Sequence, residues 1–310
     1  MRIVFMGTPD FAIPSLEKLI KSKHEVVGVV TGPDKPKGRG LLLSESPVKK
    51  FSKKHNLKIF TPENLKSDDF FYALKELTFD LSVVVAFRIL PERIFSLPPL
   101  GTINLHASLL PKYRGAAPIN WALINGETKT GLTTFFILKK VDTGDLILQK
   151  EIEIFAEETF GELHDRMANL GADFLLQTLE LVEKGQARPT KQDDAQATPA
   201  PKITPEHCQI DWSKEAVQIK NQIRGLSPLP AAFTSYKGKI LKIYKATVIG
   251  ESPFSEGFGE VVEPDKKEEI WVKTKKGILN FLEVQPEGKR KMSAAEFVRG
   301  YRIKAGDKLG

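Results

Sequence analysis

Residues 25–31 (EVVGVVT) and 80–86 (DLSVVVA) are short, β-branched and apolar almost without interruption. A strand that alternates apolar and polar residues can leave one face in water; a strand that does not alternate has to be covered on both. Parallel neighbours also need crossover connections, and the stretches between these runs carry helical spacing. The two runs therefore demand a mainly parallel sheet with helices on each face, wound with right-handed crossovers. Residues 2–6 (RIVFM) give a further strand, closed by Gly7-Thr8-Pro9. Asp10 then stands where it can cap a helix with Phe11, Leu16, Leu19 and Ile20 on its apolar face. Strands are expected at 57–60, 101–106, 131–138 and 146–154, and helices at 48–55, 70–77, 119–124 and 159–184.

The character changes near residue 188. Residues 189–206 are rich in Pro, Ala and polar side chains and show no apolar period, so they read as a linker. A helix at 214–224 follows. Short strands at 239–248, 257–262, 269–274 and 277–284 then suggest a small barrel. The expected class is α/β: a Rossmann-like domain over 1–188 with a mainly parallel sheet, a linker over 189–206, and a small OB-like β-barrel domain over 207–310.

Composition narrows the function classes. The chain has 310 residues, 41% hydrophobic and 27% charged, the mix of an ordinary globular protein rather than a disordered or fibrous one. One cysteine (Cys208) excludes an internal disulfide framework, and five scattered histidines with no H-x-x-x-H pair argue against a metal site. No apolar run approaches the roughly 20 residues of a membrane helix. The amino-terminal residues read as a first strand rather than a targeting signal, so a cytoplasmic protein is expected. Residues 207–310 hold 19 Lys/Arg against 13 Asp/Glu, whereas residues 1–206 hold 27 against 26. A basic final third points to a polyanion such as nucleic acid as partner, although a solvated lysine-rich surface would look the same.

Three places could carry chemistry. The first turn, Gly7-Thr8-Pro9-Asp10-Phe11, lacks the G-x-G-x-x-G of a dinucleotide site, and Pro9 removes an N–H. A nicotinamide or flavin dinucleotide is therefore disfavoured. Asn104 and His106 fall on the same side of a strand, at the carboxyl end where open α/β sheets bind ligands. An amide can hydrogen-bond a developing oxyanion while an imidazole stabilises charge or moves a proton, which suits chemistry at a carbonyl. Alone, an Asn-x-His pair is more often a satisfied buried pair, but the loop Tyr113-Arg114-Gly115-Ala116-Ala117-Pro118-Ile119 after it suits an extended substrate. Asp142, in the turn Val141-Asp142-Thr143-Gly144-Asp145, is either a turn-former or a carboxylate that holds the imidazole or a water.

FMGTPDFA (5–12), PDKPKGRG (33–40), NLHASLLPKYRGAAPI (104–119), VDTGD (141–145), IDWS (210–213) and GILNFLEVQPEGKRKMSAAEF (277–297) resemble the folate-dependent formyltransferases, along nearly the whole chain. The 104–119 run resembles the family as a whole; the second domain and the 33–40 loop resemble its branch that acts on charged initiator tRNA. That resemblance implies transfer of a formyl group from 10-formyltetrahydrofolate, a co-substrate, to the α-amine of methionine on initiator methionyl-tRNA, without a metal. Asn104, His106 and Asp142 match the catalytic trio. Asn104 would donate to the oxyanion of the tetrahedral carbon, His106 would stabilise charge and help proton transfer, and Asp142 would orient His106 or a water and help protonate the leaving nitrogen. Arg88, Ile89 and Leu90 fall where relatives grip the pterin with backbone groups, and Ser108, Leu109, Leu110 and Pro111 are carried over as folate-binding. The loop 32–46 would meet the tRNA acceptor end, with Arg39 helping to distinguish initiator from elongator. Lys289, Arg290 and Lys291, with Arg299, Arg302 and Lys304, would track phosphates. A monomer is expected.

There are two rival readings, and the second is of a different class. A formyltransferase acting on a small amine accounts for the trio but leaves the basic second domain unexplained. A non-catalytic RNA-binding protein predicts that His106 is dispensable.

Overall fold

A computed structural model describes residues 1–37, 42–254 and 256–310. The chain divides into two compact units, one of Met1–Gly115, Thr130–Ile152 and His164–Ala200, the other of Ala116–Lys129, Glu153–Leu163 and Pro201–Gly310.

The first unit is built on a seven-stranded sheet. From one edge to the other its order is Leu146–Glu153, Lys129–Phe136, Thr102–His106, Leu81–Val85, Arg2–Gly7, Glu25–Val30 and Ile59–Phe60. The five strands from Thr102–His106 to Ile59–Phe60 run parallel, and Lys129–Phe136 joins antiparallel to Thr102–His106. Every residue of Leu81–Val85 is buried, as its unbroken apolar run requires. The helix Phe160–Glu183 places Met167, Ala168, Ala172, Leu175 and Leu179 in the core at helical spacing. The helix after the first strand differs from expectation. Asp10 does not cap it: a 3-10 turn over Asp10–Ala12 comes first, with Pro9 at its N-cap, and the α-helix proper is Ile13–Ile20. The Asp10 carboxylate instead accepts the Phe11 N–H at 3.0 Å.

Lys35–Lys37 and Leu42–Ser44 pair as a short antiparallel hairpin. Its base is tied by Lys49 Nζ, which sits 2.8 Å from both carboxylate oxygens of Asp34. Arg39 lies outside the described residues.

The second unit carries the antiparallel sheet, ordered Ala232–Tyr236, Lys239–Pro253, Lys276–Pro286, Ile270–Lys273 and Val261–Val262. Two register shifts between Ile243 and Ala246 bend the long strand. The sheet curls as a half-barrel around Leu241, Ile243, Leu279 and Phe281, and Ala216–Leu226 lays Ile219, Ile223 and Leu226 against that core. The helix Pro118–Ile124 belongs here too: Asn120 Nδ2 donates to the Gly225 carbonyl at 2.8 Å.

The segment 189–206 is bound along much of its length. Thr190 bridges antiparallel to Leu146, and Pro199–Ala200 pair parallel with Arg114–Gly115. These are main-chain bonds, which a polar segment without period can make as well as any other.

Candidate active site

Sheet register fixes two of the three candidate side chains. Asn104 lies opposite Val84 on one neighbour and Phe135 on the other, and His106 lies opposite Thr133. His106 is buried at 7% exposure, whereas Asn104 is half-buried.

The loop that follows holds the imidazole. His106 Nε2 is 2.9 Å from the Tyr113 carbonyl oxygen. A carbonyl only accepts, so Nε2 carries a hydrogen, and in the neutral ring the lone pair is on Nδ1. Nδ1 stands 3.9 Å from Asp142 Oδ2, beyond hydrogen-bond reach. The imidazole is therefore oriented by a peptide carbonyl, not by the carboxylate. In exchange, Nδ1 can take a proton, and the imidazolium formed would face a carboxylate.

Asp142 reaches that place from a strained turn. Its φ is +53°, the left-handed region that Asp tolerates better than most residues. Gly144 is required two residues on, because a Cβ there would lie 1.6 Å from the Phe136 carbonyl oxygen. Asp142 Oδ2 accepts the Gly115 N–H at 2.9 Å. Gly115 has φ +129°, and its Cβ would meet the Ala200 carbonyl at 2.5 Å. The short stretch Tyr113–Gly115 thus serves both groups, with one carbonyl for His106 and one N–H for Asp142.

Asn104 and Asp142 share a cleft with Phe87, Leu90, Ile137 and Val141. Ala86 turns the chain there with φ +49°, and Ile89 is 73% exposed. Among the described residues the main-chain groups of Arg88, Ile89 and Leu90 make no hydrogen bond. Apolar walls beside unsatisfied peptide groups fit a flat heterocycle such as a pterin. The Arg88 side chain is committed elsewhere. Its terminal nitrogens donate to the Pro62 and Glu63 carbonyls at 2.7 and 3.1 Å, its Nε is buried without a partner, and burial pushes the guanidinium below the ordinary arginine range.

The remaining folate candidates have internal roles. Ser108 is fully buried and donates to the Lys112 carbonyl at 2.7 Å. The Leu110 N–H donates to Thr133 Oγ1 and its carbonyl accepts from Gln149. Leu109 packs over Gly131, and Pro111 follows a cis peptide bond. None of the four lines the cleft that holds Asn104 and Asp142.

Lys289, Arg290 and Lys291 are exposed in the second unit. Lys291 lies 3.7 Å over the Tyr244 ring and 3.5 Å from Glu283, and Arg290 is 3.7 Å from Glu296. No group of three or more His, Cys, Asp or Glu among the described residues could hold a metal ion, and none of their helices is long and apolar enough to cross a membrane.

A doubly covered sheet that ends in an amide, an imidazole and a carboxylate, beside an apolar cleft with unsatisfied peptide groups, matches a known class. Residues 1–179 match the formyl transferase family and residues 202–302 match the formyl transferase C-terminal domain, so the chain belongs to the formyl transferases. It is 48% identical over 311 residues to the methionyl-tRNA formyltransferase of Alkaliphilus oremlandii, covering 100% of both chains. It is 49% identical over 308 residues to the methionyl-tRNA formyltransferase of Caldanaerobacter subterraneus, covering 99% of both. The crystal structure of WlaRD, a sugar 3N-formyl transferase in the presence of dTDP and 5-N-formyl-THF, shares the fold with a TM-score of 0.66 at 20% identity, over 94% of this chain and 99% of that one.

Proposed function

We propose that this chain transfers the formyl group of 10-formyltetrahydrofolate to the α-amine of methionine on initiator methionyl-tRNA. The observation that carries the reading is the site itself: Asn104 and Asp142 line one cleft, with His106 Nδ1 3.9 Å from the Asp142 carboxylate. Full-length identity to methionyl-tRNA formyltransferases supports the choice of acceptor.

Each group has a role that its surroundings suit. The half-buried Asn104 amide donates to the oxygen that gains charge as the amine adds to the formyl carbon. His106, with its hydrogen fixed on Nε2 by Tyr113, receives a proton at Nδ1. Asp142 stabilises the imidazolium so formed and helps pass a proton to the leaving nitrogen. Main-chain groups of Arg88–Leu90, rather than the Arg88 guanidinium, hold the pterin between Phe87, Leu90 and Ile137.

Arg39 and the exposed Lys289, Arg290 and Lys291 are read as tRNA contacts. Lys289, for which no carboxylate within 4 Å is recorded among the described residues, is the most available of the last three to a phosphate. The protein is read as a cytoplasmic monomer. The test is formyl transfer from 10-formyltetrahydrofolate to charged initiator and charged elongator methionyl-tRNA, with a sugar amine as a third acceptor. Transfer to the initiator alone is expected; transfer only to the sugar amine would overturn the reading.

A further inference from the structure

The Asp142 turn has a second anchor, and it comes from the segment that reads as a linker. Gln192 Nε2 donates to the main-chain carbonyls of Asp142 at 2.9 Å and Gly144 at 2.8 Å. Its Oε1 accepts from Arg114 Nε at 3.1 Å and Nη2 at 2.7 Å. The amide has two hydrogens and two lone pairs, and all four are used. Its orientation follows from its partners, because a guanidinium can only donate and a peptide carbonyl can only accept. Arg114 is fixed in turn: its side chain is 13% exposed, and Nη2 also donates to Asp194 Oδ1 at 2.7 Å. The guanidinium holds the Asp194 carboxyl below the usual carboxylate range.

The Asp142 carbonyl belongs to the 142–143 peptide and the Gly144 carbonyl to the 144–145 peptide, so one amide spans the turn and fixes two of its peptide planes. The first of these planes sets ψ of Asp142, and with its positive φ that ψ fixes the direction in which the Asp142 side chain leaves the backbone. The carboxylate then meets Gly115 N–H, one residue past the arginine that buttresses Gln192. Arg114–Gly115 also pair with Pro199–Ala200, so the 190–200 segment grips both sides of the site. Resting on the catalytic reading above, we propose that Gln192 is the positioning residue for Asp142: it touches no substrate, and it fixes the carboxylate at its place beside His106.

The test uses the full-length protein with Gln192→Ala and Gln192→Glu. The glutamate keeps acceptors for Arg114 and loses both donors to the turn. With both substrates varied, kcat should fall about 10- to 100-fold in each variant, because small misplacements of a catalytic group cost that much, while both KM values stay within about threefold. In an Asp142→Asn background, Gln192→Ala should lower kcat by less than about threefold more, since groups acting through one another are not additive. A residue that only stabilised the fold would multiply its effect in that background.

A second readout does not need activity. The Gly115 amide proton, bonded to Asp142, should exchange with solvent at least about tenfold faster in either Gln192 variant. Retained kcat in both variants, fully multiplicative losses, or unchanged Gly115 exchange would each overturn the proposal. Failure of the wild-type protein to formylate methionyl-tRNA would instead overturn the assigned function, and Gly115 exchange would then decide the positioning claim by itself.

Discussion

Asn104 and Asp142 line the same cleft but are held there by different means. Asn104 sits inside a strand flanked by Leu81–Val85 and Lys129–Phe136, so its position is set by two ladders of main-chain bonds. Asp142 sits on a half-buried turn with φ +53° and is set by bonds from residues 27 and 50 positions away, the Gly115 N–H and the Gln192 amide. A strand position tolerates change around it because the sheet carries the load. A turn position depends on a few long-range bonds, each of which can be removed singly. The site thus pairs two strand-held side chains, Asn104 and His106, with a carboxylate whose placement depends on distant parts of the chain.

The largest effects should come from the reacting groups themselves. His106→Ala and Asn104→Ala should each lower kcat about 10²- to 10⁴-fold with little change in melting temperature, as expected for loss of a proton-transfer or oxyanion group. Equal losses from the two would fit their common strand. Gly144→Ala should act on the turn alone: its Cβ would collide with the Phe136 carbonyl, costing about 1–3 kcal/mol in thermal melts, and kcat should fall with it. Unchanged kcat in a stably folded Gly144→Ala protein would show that the turn is not sensitive, and the contrast with Asn104 would fail.

Smaller effects sharpen the contrast. Thr198 Oγ1 accepts the Tyr113 N–H at 2.8 Å, and Tyr113 supplies the carbonyl for His106. Thr198→Val should cost about 1 kcal/mol locally, read as roughly fivefold faster exchange of the Tyr113 amide. Lys289→Ala should be the mildest of all, leaving kcat unchanged while the slope of log affinity for tRNA against log salt falls by about 1. A change in kcat there would break the separation between the chemistry and the tRNA surface.

Much of the first unit was legible because its signals are local. The runs at 25–31 and 80–86 appear as the strands Glu25–Val30 and Leu81–Val85, and Asn104 and His106 fall on Thr102–His106 as their spacing requires. The strand Ala232–Tyr236 and the helix Ala294–Tyr301 were not anticipated. Each is short, and the strand's AFTSY pattern alternates over only a few residues. The resemblance offers Ser108 and Leu110 as folate contacts; in the structure Ser108 Oγ, the Leu110 N–H and the Leu110 carbonyl bond to Lys112, Thr133 and Gln149. A motif shows that residues occur together, not which of them faces the cleft.

Two kinds of information remain distinct. Apolar period, β-branched runs and side-chain parity along a strand depend on neighbours within a few residues, so the α/β class, the basic final third and the shared face of Asn104 and His106 could be read directly from the chain. The 3.9 Å approach of His106 and Asp142, the carbonyl that fixes the imidazole hydrogen and the grip of Gln192 on a turn 50 residues away could not. Those depend on main-chain and amide hydrogen bonds between remote segments. Such bonds are available to nearly every residue and leave no pattern in composition, so only the folded chain decides which of them are made.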